Sequence, residues 1–422
     1  MAKQTRRSFL KKSILAAGVF SIVPRYVLGG RGFTAPSEQL TKAVIGVGGM
    51  GQGHLGYGSS KLLAICDADK GHLANTHAKL GNSKDIKTYT DFRELLLRPD
   101  IDIVHIATPP HWHGLMSVAA AEAGKDIWCE KPMTRTIYEG KKVVEAVNKY
   151  GSIFRINTWF RFASKFYGSG YYVKDLKKLL ESKALGWPLK VVVNASTGFG
   201  WKFYWSGKTT LPVMDIPKQL DYDLWLGPAP FKPYNSHRTH GTFRGYWDYD
   251  GGGLGDMGQH YLDPIQYILG KDDTSPVSVE VDSPQQHYDA VGPWRRVTLR
   301  YADGCEIILD GNESLAGEPF IEGPNGKVWR DYRSTIPNLR GFVNALPEPI
   351  EQVTDFEHAV KTRKKFALNE SNGHRSCTLI NLAKTALRVN RSLQYDPDKQ
   401  IFINDDQANR FVKQPMRGPW RM

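Results

Sequence analysis

Cysteine is scarce in this chain. There are four in 422 residues, Cys66, Cys129, Cys305 and Cys377, with no Cys-x-x-Cys pair among them. That excludes a zinc ribbon and a dense disulfide framework, and no metal site is expected. Cys66 and Cys129 close apolar runs that read as buried strands, so free thiols are the expectation, with a single disulfide open in an oxidising compartment. Repeats and low-complexity tracts are also missing. The apolar stretch Ile14 to Val23 is too short to serve as a stable membrane anchor. The net charge of +13 is spread along the chain beyond the N-terminus. Residues 1–40 hold Lys3, Arg6, Arg7, Lys11, Lys12, Arg25 and Arg31 against Glu38, and the remaining excess is dispersed. A dispersed excess describes a solvated basic surface and argues against nucleic-acid binding.

What is present begins with an address. Thr5-Arg6-Arg7-Ser8-Phe9-Leu10-Lys11 carries the paired arginines of a twin-arginine export signal, and Ile14 to Val23 matches its apolar region. Residues 1–34 are expected to be this signal, with cleavage near Gly29–Ala35, the twin-arginine machinery as a partner, and the periplasm as destination. At 41% hydrophobic residues, the remainder can bury a large core and divides into two domains. The boundaries expected are 42–160, 161–400 and a tail, 401–422, packing on the body.

The first domain is organised around Ala43-Val44-Ile45-Gly46-Val47-Gly48-Gly49-Met50-Gly51. An apolar strand runs into Gly46-x-Gly48-x-x-Gly51, the spacing of a dinucleotide-binding turn. One glycine allows the tight turn, one lets the backbone approach a pyrophosphate, and one packs the next helix on the strand. A second buried strand, Lys61 to Cys66, ends at Asp67, 21 residues beyond Gly46, where a carboxylate accepts the ribose hydroxyls of NAD. The acid favours NAD and leaves NADP open. A third apolar strand, Ile101–Ala107, ends in Thr108-Pro109-Pro110 and is followed by His111-Trp112-His113 and an alanine-rich helix. The strand Asp126–Cys129 delivers Glu130-Lys131-Pro132 at its carboxyl end, and Ile153 begins a sixth strand. Alternating strands and helices describe a doubly wound parallel sheet, whose ligand crevice lies beyond the strands' carboxyl ends. Thr108, His113, Glu130 and Lys131 should therefore approach one site.

Arg161 lies at the crossing into the second domain, where it either reaches a ligand or bridges the domains. From Gly198 to Trp247 the chain is rich in aromatics, Gly and Pro. Such loops suit sugar rings, with Trp201 and Arg244 as candidate contacts. Gly251-Gly252-Gly253 then leads into a helix on which Asp256 and His260 stand one turn apart, an arrangement in which the carboxylate can hold a histidine base. Short strands at 277–281, 296–301 and 306–310, a hairpin around Asn325-Gly326, and helices at 354–363 and 374–391 complete an open, mostly antiparallel α+β domain.

The ordered set Gly46-x-Gly48-x-x-Gly51, Asp67, Thr108-Pro109 with Trp112-His113, Glu130-Lys131-Pro132 and Asp256-x-Gly258-x-His260 resembles the Gfo/Idh/MocA oxidoreductase family over residues 42–400. The resemblance implies an α/β chain with an N-terminal Rossmann domain and a second domain whose sheet covers the nicotinamide. It implies NAD(P)-linked oxidation of a sugar or cyclitol alcohol, with Lys131, Asp256 and His260 catalytic. Gly46, Gly48, Gly49, Met50, Gly51, Asp67, Thr108, Pro109, Trp112, His113, Glu130 and Lys131 would hold the cofactor. Arg161, Trp201, Arg244 and His260 would hold the substrate. A homo-oligomer is expected by analogy with the fold. A periplasm holds no free NAD pool, so a tightly bound cofactor and a closed redox cycle are expected. Two rival readings are an NAD-dependent glycoside hydrolase of the same superfamily, against which the lysine of Glu130-Lys131-Pro132 argues, and a non-catalytic dinucleotide-binding protein.

Overall fold

A computed structural model of the chain describes residues 39–158, 161, 165–166 and 168–422. The export signal expected over residues 1–34 lies outside the described residues. Among the described residues no helix is long and apolar enough to cross a membrane.

Six strands form the first sheet: β1 (Thr41–Ile45), β2 (Lys61–Cys66), β3 (Lys87–Tyr89), β4 (Ile103–Ile106), β5 (Asp126–Cys129) and β6 (Phe154–Ile156). Their order is β3-β2-β1-β4-β5-β6, all parallel. The chain winds outward from β1 in both directions, so a crevice opens where the carboxyl ends of β1 and β4 part. Every residue of β4 and β5 is buried, His105 and Asp126 included, and these strands read as mainly apolar runs. Strand β3 carried no such signal. It is a three-residue edge strand, Lys-Thr-Tyr, with no buried side chain.

Capping sets the helices that flank this sheet. Thr136 accepts the Glu139 N–H at the start of Ile137–Tyr150, and Gly151 closes that helix at φ 69°. Helix Glu370–Val389 starts four residues before the expected 374, because Asn369 and Asn372 form a reciprocal capping box. Buried along nearly its whole length, it packs against Ile137–Tyr150 on one side and Gly252–Ile268 on the other, joining the two domains.

The second sheet uses β7 (Lys190–Val193), β8 (Ser278–Asp282), β9 (Arg296–Arg300), β10 (Glu306–Asp310), β11 (Ile321–Gly323), β12 (Gly326–Val328), β13 (Leu393–Asp396) and β14 (Ile401–Phe402). Its order is β12-β11-β7-β10-β9-β8-β13-β14; β7 and β10 pair in parallel and the other pairs are antiparallel. The architecture is α/β, a Rossmann sheet followed by an open, mostly antiparallel one. Gly323 pairs with Gly326, so the hairpin turn is Pro324-Asn325, one residue earlier than the Asn-Gly signal implied. All four cysteines are buried and free.

Candidate active site

The glycines of the first turn divide their work. Gly46 sits at φ 83°, and a Cβ there would meet the Ala107 carbonyl and Thr108 nitrogen at 2.8 Å. A Cβ on Gly51 would lie 1.8 Å from the Gly46 oxygen. These two positions allow no side chain. Among the described residues, a Cβ on Gly49 would meet nothing within 4 Å, and Gly48 faces the His72 ring alone. Gly48, Gly49 and Met50 therefore present open backbone to a cleft that Gly46, Asp67, Thr108, Pro109 and Trp112 also line. The helix that follows is a single turn, Gly51–His54. Close backbone approach, more than a helix dipole, is what this turn offers a pyrophosphate.

Asp67 follows β2 directly. Its Oδ2 accepts the Val47 N–H at 2.9 Å and its Oδ1 accepts the Asp69 N–H at 2.9 Å, so the carboxylate is fixed at the cleft wall beside the glycine turn. His72 Nδ1 lies 3.3 Å from Asp67 Oδ2, and this hydrogen bond raises the imidazole pKa. A dinucleotide fits these residues: open glycine backbone for phosphates, and a carboxylate at the end of the second strand for ribose hydroxyls.

His113 is placed differently. Both ring nitrogens lie 2.7 Å from backbone carbonyls, those of Thr108 and Pro132, so the buried ring braces the two loops against each other and does not reach the cleft. Gly51 likewise packs behind the wall.

The other end of the cleft is built from charge. Glu130 is buried; its Oε1 accepts from Asn157 Nδ2 at 2.6 Å and lies 2.9 Å from His54 Nε2. Burial pushes the Glu130 carboxyl up, but the His54 contact and Lys131 outweigh it and hold the group down at about 2. Lys131 Nζ donates to the Asp256 carbonyl at 2.6 Å and to its Oδ1 at 3.1 Å. Arg244 Nε donates to the same Oδ1 at 2.9 Å, and Lys202 Nζ to Oδ2 at 2.8 Å. Against the effect of burial, these three cations keep the Asp256 carboxyl far below the usual carboxylate range.

This corrects the expected Asp256–His260 pairing. The two residues do share a helix, Gly252–Ile268, but both Asp256 oxygens are drawn to Lys131, Arg244 and Lys202. His260 lies one turn further along that helix, and burial together with Lys131 lowers its pKa to about 3, keeping the ring neutral. Asp250, which also lines the cleft, is a carboxyl the sequence reading passed over. Burial pushes it up to about 6, and Gly255 leaves the room for it: a Cβ at Gly255 would lie 1.9 Å from Asp250 Oδ1.

Two expected substrate contacts are not at the cleft. Arg161 is fully buried between Asp263 (2.8 Å) and Asp272 (2.6 Å), its guanidinium saturated by two carboxylates of the second domain. Trp201 packs edge-on against Tyr261 and Trp294 and donates its Nε1 hydrogen to the Val193 carbonyl at 3.3 Å. The aromatics of 198–247 also behave differently from expectation. Tyr222, Trp225, Tyr234, Phe243 and Tyr246, with Tyr249 just past the stretch, form a small core of their own. Trp225, Phe243 and His240 from this stretch line the same cleft as the glycine turn. Composition marked this stretch as a group but not which wall of the cleft each ring faces, since their neighbours across the cleft lie more than a hundred residues away in the chain.

The fold and this cleft define an oxidoreductase that binds a nicotinamide dinucleotide. The chain matches a model described as "Oxidoreductase family, NAD-binding Rossmann fold" over residues 40–158 and one described as "Oxidoreductase family, C-terminal alpha/beta domain" over 169–422. It belongs to the Gfo/Idh/MocA oxidoreductase family. It is similar to levoglucosan dehydrogenase of Pseudarthrobacter phenanthrenivorans, 25% identical over 304 residues that cover 69% of this chain and 67% of that enzyme. It is 32% identical to scyllo-inositol 2-dehydrogenase (NAD(+)) of Bacillus subtilis over 157 residues, 36% of this chain and 43% of that one. The chain thus spans less than half of the second enzyme. Among solved structures, the WlbA dehydrogenase of Bordetella pertussis, in complex with NADH and UDP-GlcNAcA, shares the fold at a TM-score of 0.56 and 17% identity, covering 85% of this chain and 99% of that one.

Proposed function

We propose that this enzyme oxidises a secondary alcohol of a sugar, glycoside or cyclitol, passing hydride to an NAD that stays bound through the cycle. The observation that carries the reading is the Lys131 ammonium, held by the Asp256 carbonyl and carboxylate at the end of the dinucleotide cleft. The sugar and cyclitol dehydrogenases to which the chain is similar support the substrate class. A nicotinamide bound in this cleft would supply the acceptor for hydride from the alcohol carbon. Lys131 directs its charge at the alcohol oxygen, stabilising the negative charge that develops as the O–H bond breaks. The alcohol proton leaves to a base, the role assigned to His260, which stands one turn along the helix from Asp256, and a ketone remains. Glu130, fixed by His54 and Asn157, holds the Lys131 backbone in place: its Oε2 accepts the Lys131 N–H at 3.3 Å.

The export motif supports work in the periplasm, reached folded by the twin-arginine route with the cofactor already loaded. With no free NAD outside the cytoplasm, the hydride must return to a second substrate or to a ketone formed on the enzyme. The test is to purify the protein without residues 1–34, denature a portion, and identify released dinucleotide by mass spectrometry. The rest is mixed with sugars, glycosides and cyclitols while the absorbance of the bound nicotinamide is followed. Stoichiometric NAD, reduced by a member of the panel with ketone formation, is expected. A protein that purifies empty contradicts retention. Aglycone release from a coloured glycoside with no ketone accumulating points to the hydrolase instead.

A further inference from the structure

Residues 217–245 leave the second domain and cross the Rossmann domain on the open side of the cofactor cleft. Their course there is fastened at several independent points. Lys70 N–H donates to the Gln219 carbonyl at 2.9 Å and Asp221 N–H to the Ala68 carbonyl at 3.0 Å, an antiparallel bridge centred on Asp69 and Leu220 just beyond Asp67. The Trp225 carbonyl accepts the Trp112 indole N–H at 3.0 Å and lies 3.0 Å from His111 Nε2. Farther along, His240 Nε2 comes within 3.5 Å of Asp69 Oδ2, and its ring stands edge-on to His72 with centroids 4.8 Å apart. His72 in turn covers Gly48 and contacts Asp67. His240 holds this contact from the left-handed region, φ 54°, a conformation unusual for a residue with a side chain.

The C-terminal tail clamps the same segment from outside. Arg417 donates its backbone N–H to the Pro228 carbonyl at 3.0 Å and its Nε hydrogen to the Gly227 carbonyl at 3.0 Å, and it pairs with Asp223. Trp420 stands edge-on to Trp112 at 4.8 Å and lies under the Arg93 guanidinium at 4.9 Å. The segment's own aromatic core keeps it stiff between these fastenings. A dinucleotide lying on Gly48 and Gly49 beside Asp67 would have this roof above it, because Leu224, Trp225, His240 and Phe243 line the same cleft.

We propose that residues 217–245 form a strap that retains NAD, with His240 on Asp69 and His72 as its latch and Arg417 as its outer clamp. The strap has to lift before the adenosine half can leave, so its contacts act on the dissociation rate. The inference rests on the cofactor retention proposed above and not on the identity of the sugar. The experiment uses purified full-length protein loaded with NADH and chased with excess NAD, and follows the loss of bound NADH fluorescence. Two variants are compared with the wild type. His240→Gly removes the latch at a position where glycine is at home, and Arg417→Ala removes the clamp. Each is expected to release NADH at least about tenfold faster, the consequence of losing the His240 contacts with Asp69 and His72 or the Arg417 hydrogen bonds and ion pair. Release within about twofold of the wild type in both variants overturns the strap. Failure to oxidise any sugar would remove the proposed reaction while leaving this ratio of rates intact.

Discussion

The two ends of the cleft are built on different principles. At the dinucleotide end, backbone geometry does the work: Gly46 and Gly51 leave no room for a Cβ, and Asp67 is tied to the turn by the Val47 N–H. At the Lys131 end, side-chain charge does it, with three cations from three separate segments meeting on Asp256. The first end should tolerate changes of charge better than changes of shape, and the second the reverse.

The largest expected effect comes from breaking the charged end. Asp256→Asn keeps the shape and removes the anion, leaving Lys131, Lys202 and Arg244 without their common partner. Turnover should fall by about a thousandfold or more, as for loss of a transition-state electrostatic group, while NADH titration finds binding little changed. Next is the backbone end. Gly46→Ala forces a Cβ into the Ala107 carbonyl at a positive φ, and calorimetric titration should show NAD affinity weakened by about a hundredfold or the protein's thermal midpoint lowered. Either equal tolerance of both substitutions, or the reverse assignment of the two losses, would break the contrast.

Arg161 sharpens it from outside the cleft. If its role is the buried triad with Asp263 and Asp272, Arg161→Met should cost about 3–5 kcal/mol in denaturant unfolding, the typical cost of stranding buried partners, and leave the sugar KM of the folded fraction unchanged.

Titration separates the two histidine and carboxyl environments of the charged end. Asp250, pushed from 3.8 to about 6, is protonated more readily in the folded than in the unfolded chain. Its contribution to stability is therefore present below the unfolded value and lost as pH rises from about 4 to 6, a difference of up to about 3 kcal/mol by linkage. His260, lowered to about 3, has the opposite sign: its stabilising neutral form is present above the unfolded value near 6.5 and is lost as pH falls towards 3. Comparing urea unfolding of wild type and Asp250→Asn between pH 4 and 7 isolates the first. Curves that stay parallel across that range contradict the buried, raised carboxyl. The smallest effect is Trp201→Phe, which touches neither end and should leave kcat/KM within about twofold.

The same contrast explains what was legible in the sequence. Gly46-x-Gly48-x-x-Gly51 and Asp67 could be read because their geometry is local and the backbone itself demands the residue types. Glu130 and Lys131 stood out because charge at the end of a fully buried strand needs a partner. The Asp256–His260 spacing correctly placed both residues on one helix, yet helical spacing cannot say where a carboxylate will turn. Its actual partners stand 125, 54 and 12 residues away in the chain, Lys131, Lys202 and Arg244. Arg161 was legible as a residue at the domain crossing, with no local sign that Asp263 and Asp272 would enclose it. The aromatics of 198–247 were visible as a cluster but not as a roof, since composition distinguishes an apolar surface without saying which wall of the cleft it faces. His54, which fixes Glu130, was hidden because the contact links the first helical turn to the end of the fifth strand.

In the proposed function Lys131, set on Asp256 at the end of the dinucleotide cleft, serves the chemical step and not cofactor binding. The most direct test is single-turnover reduction of bound NAD by the best substrate of the sugar and cyclitol panel, in wild type and in Lys131→Met. Rapid nicotinamide reduction is expected in the wild type and a rate at least about a thousandfold lower in the variant, with the same amount of NAD bound to both. Reduction at an undiminished rate in Lys131→Met, or loss of the bound NAD itself, would contradict it.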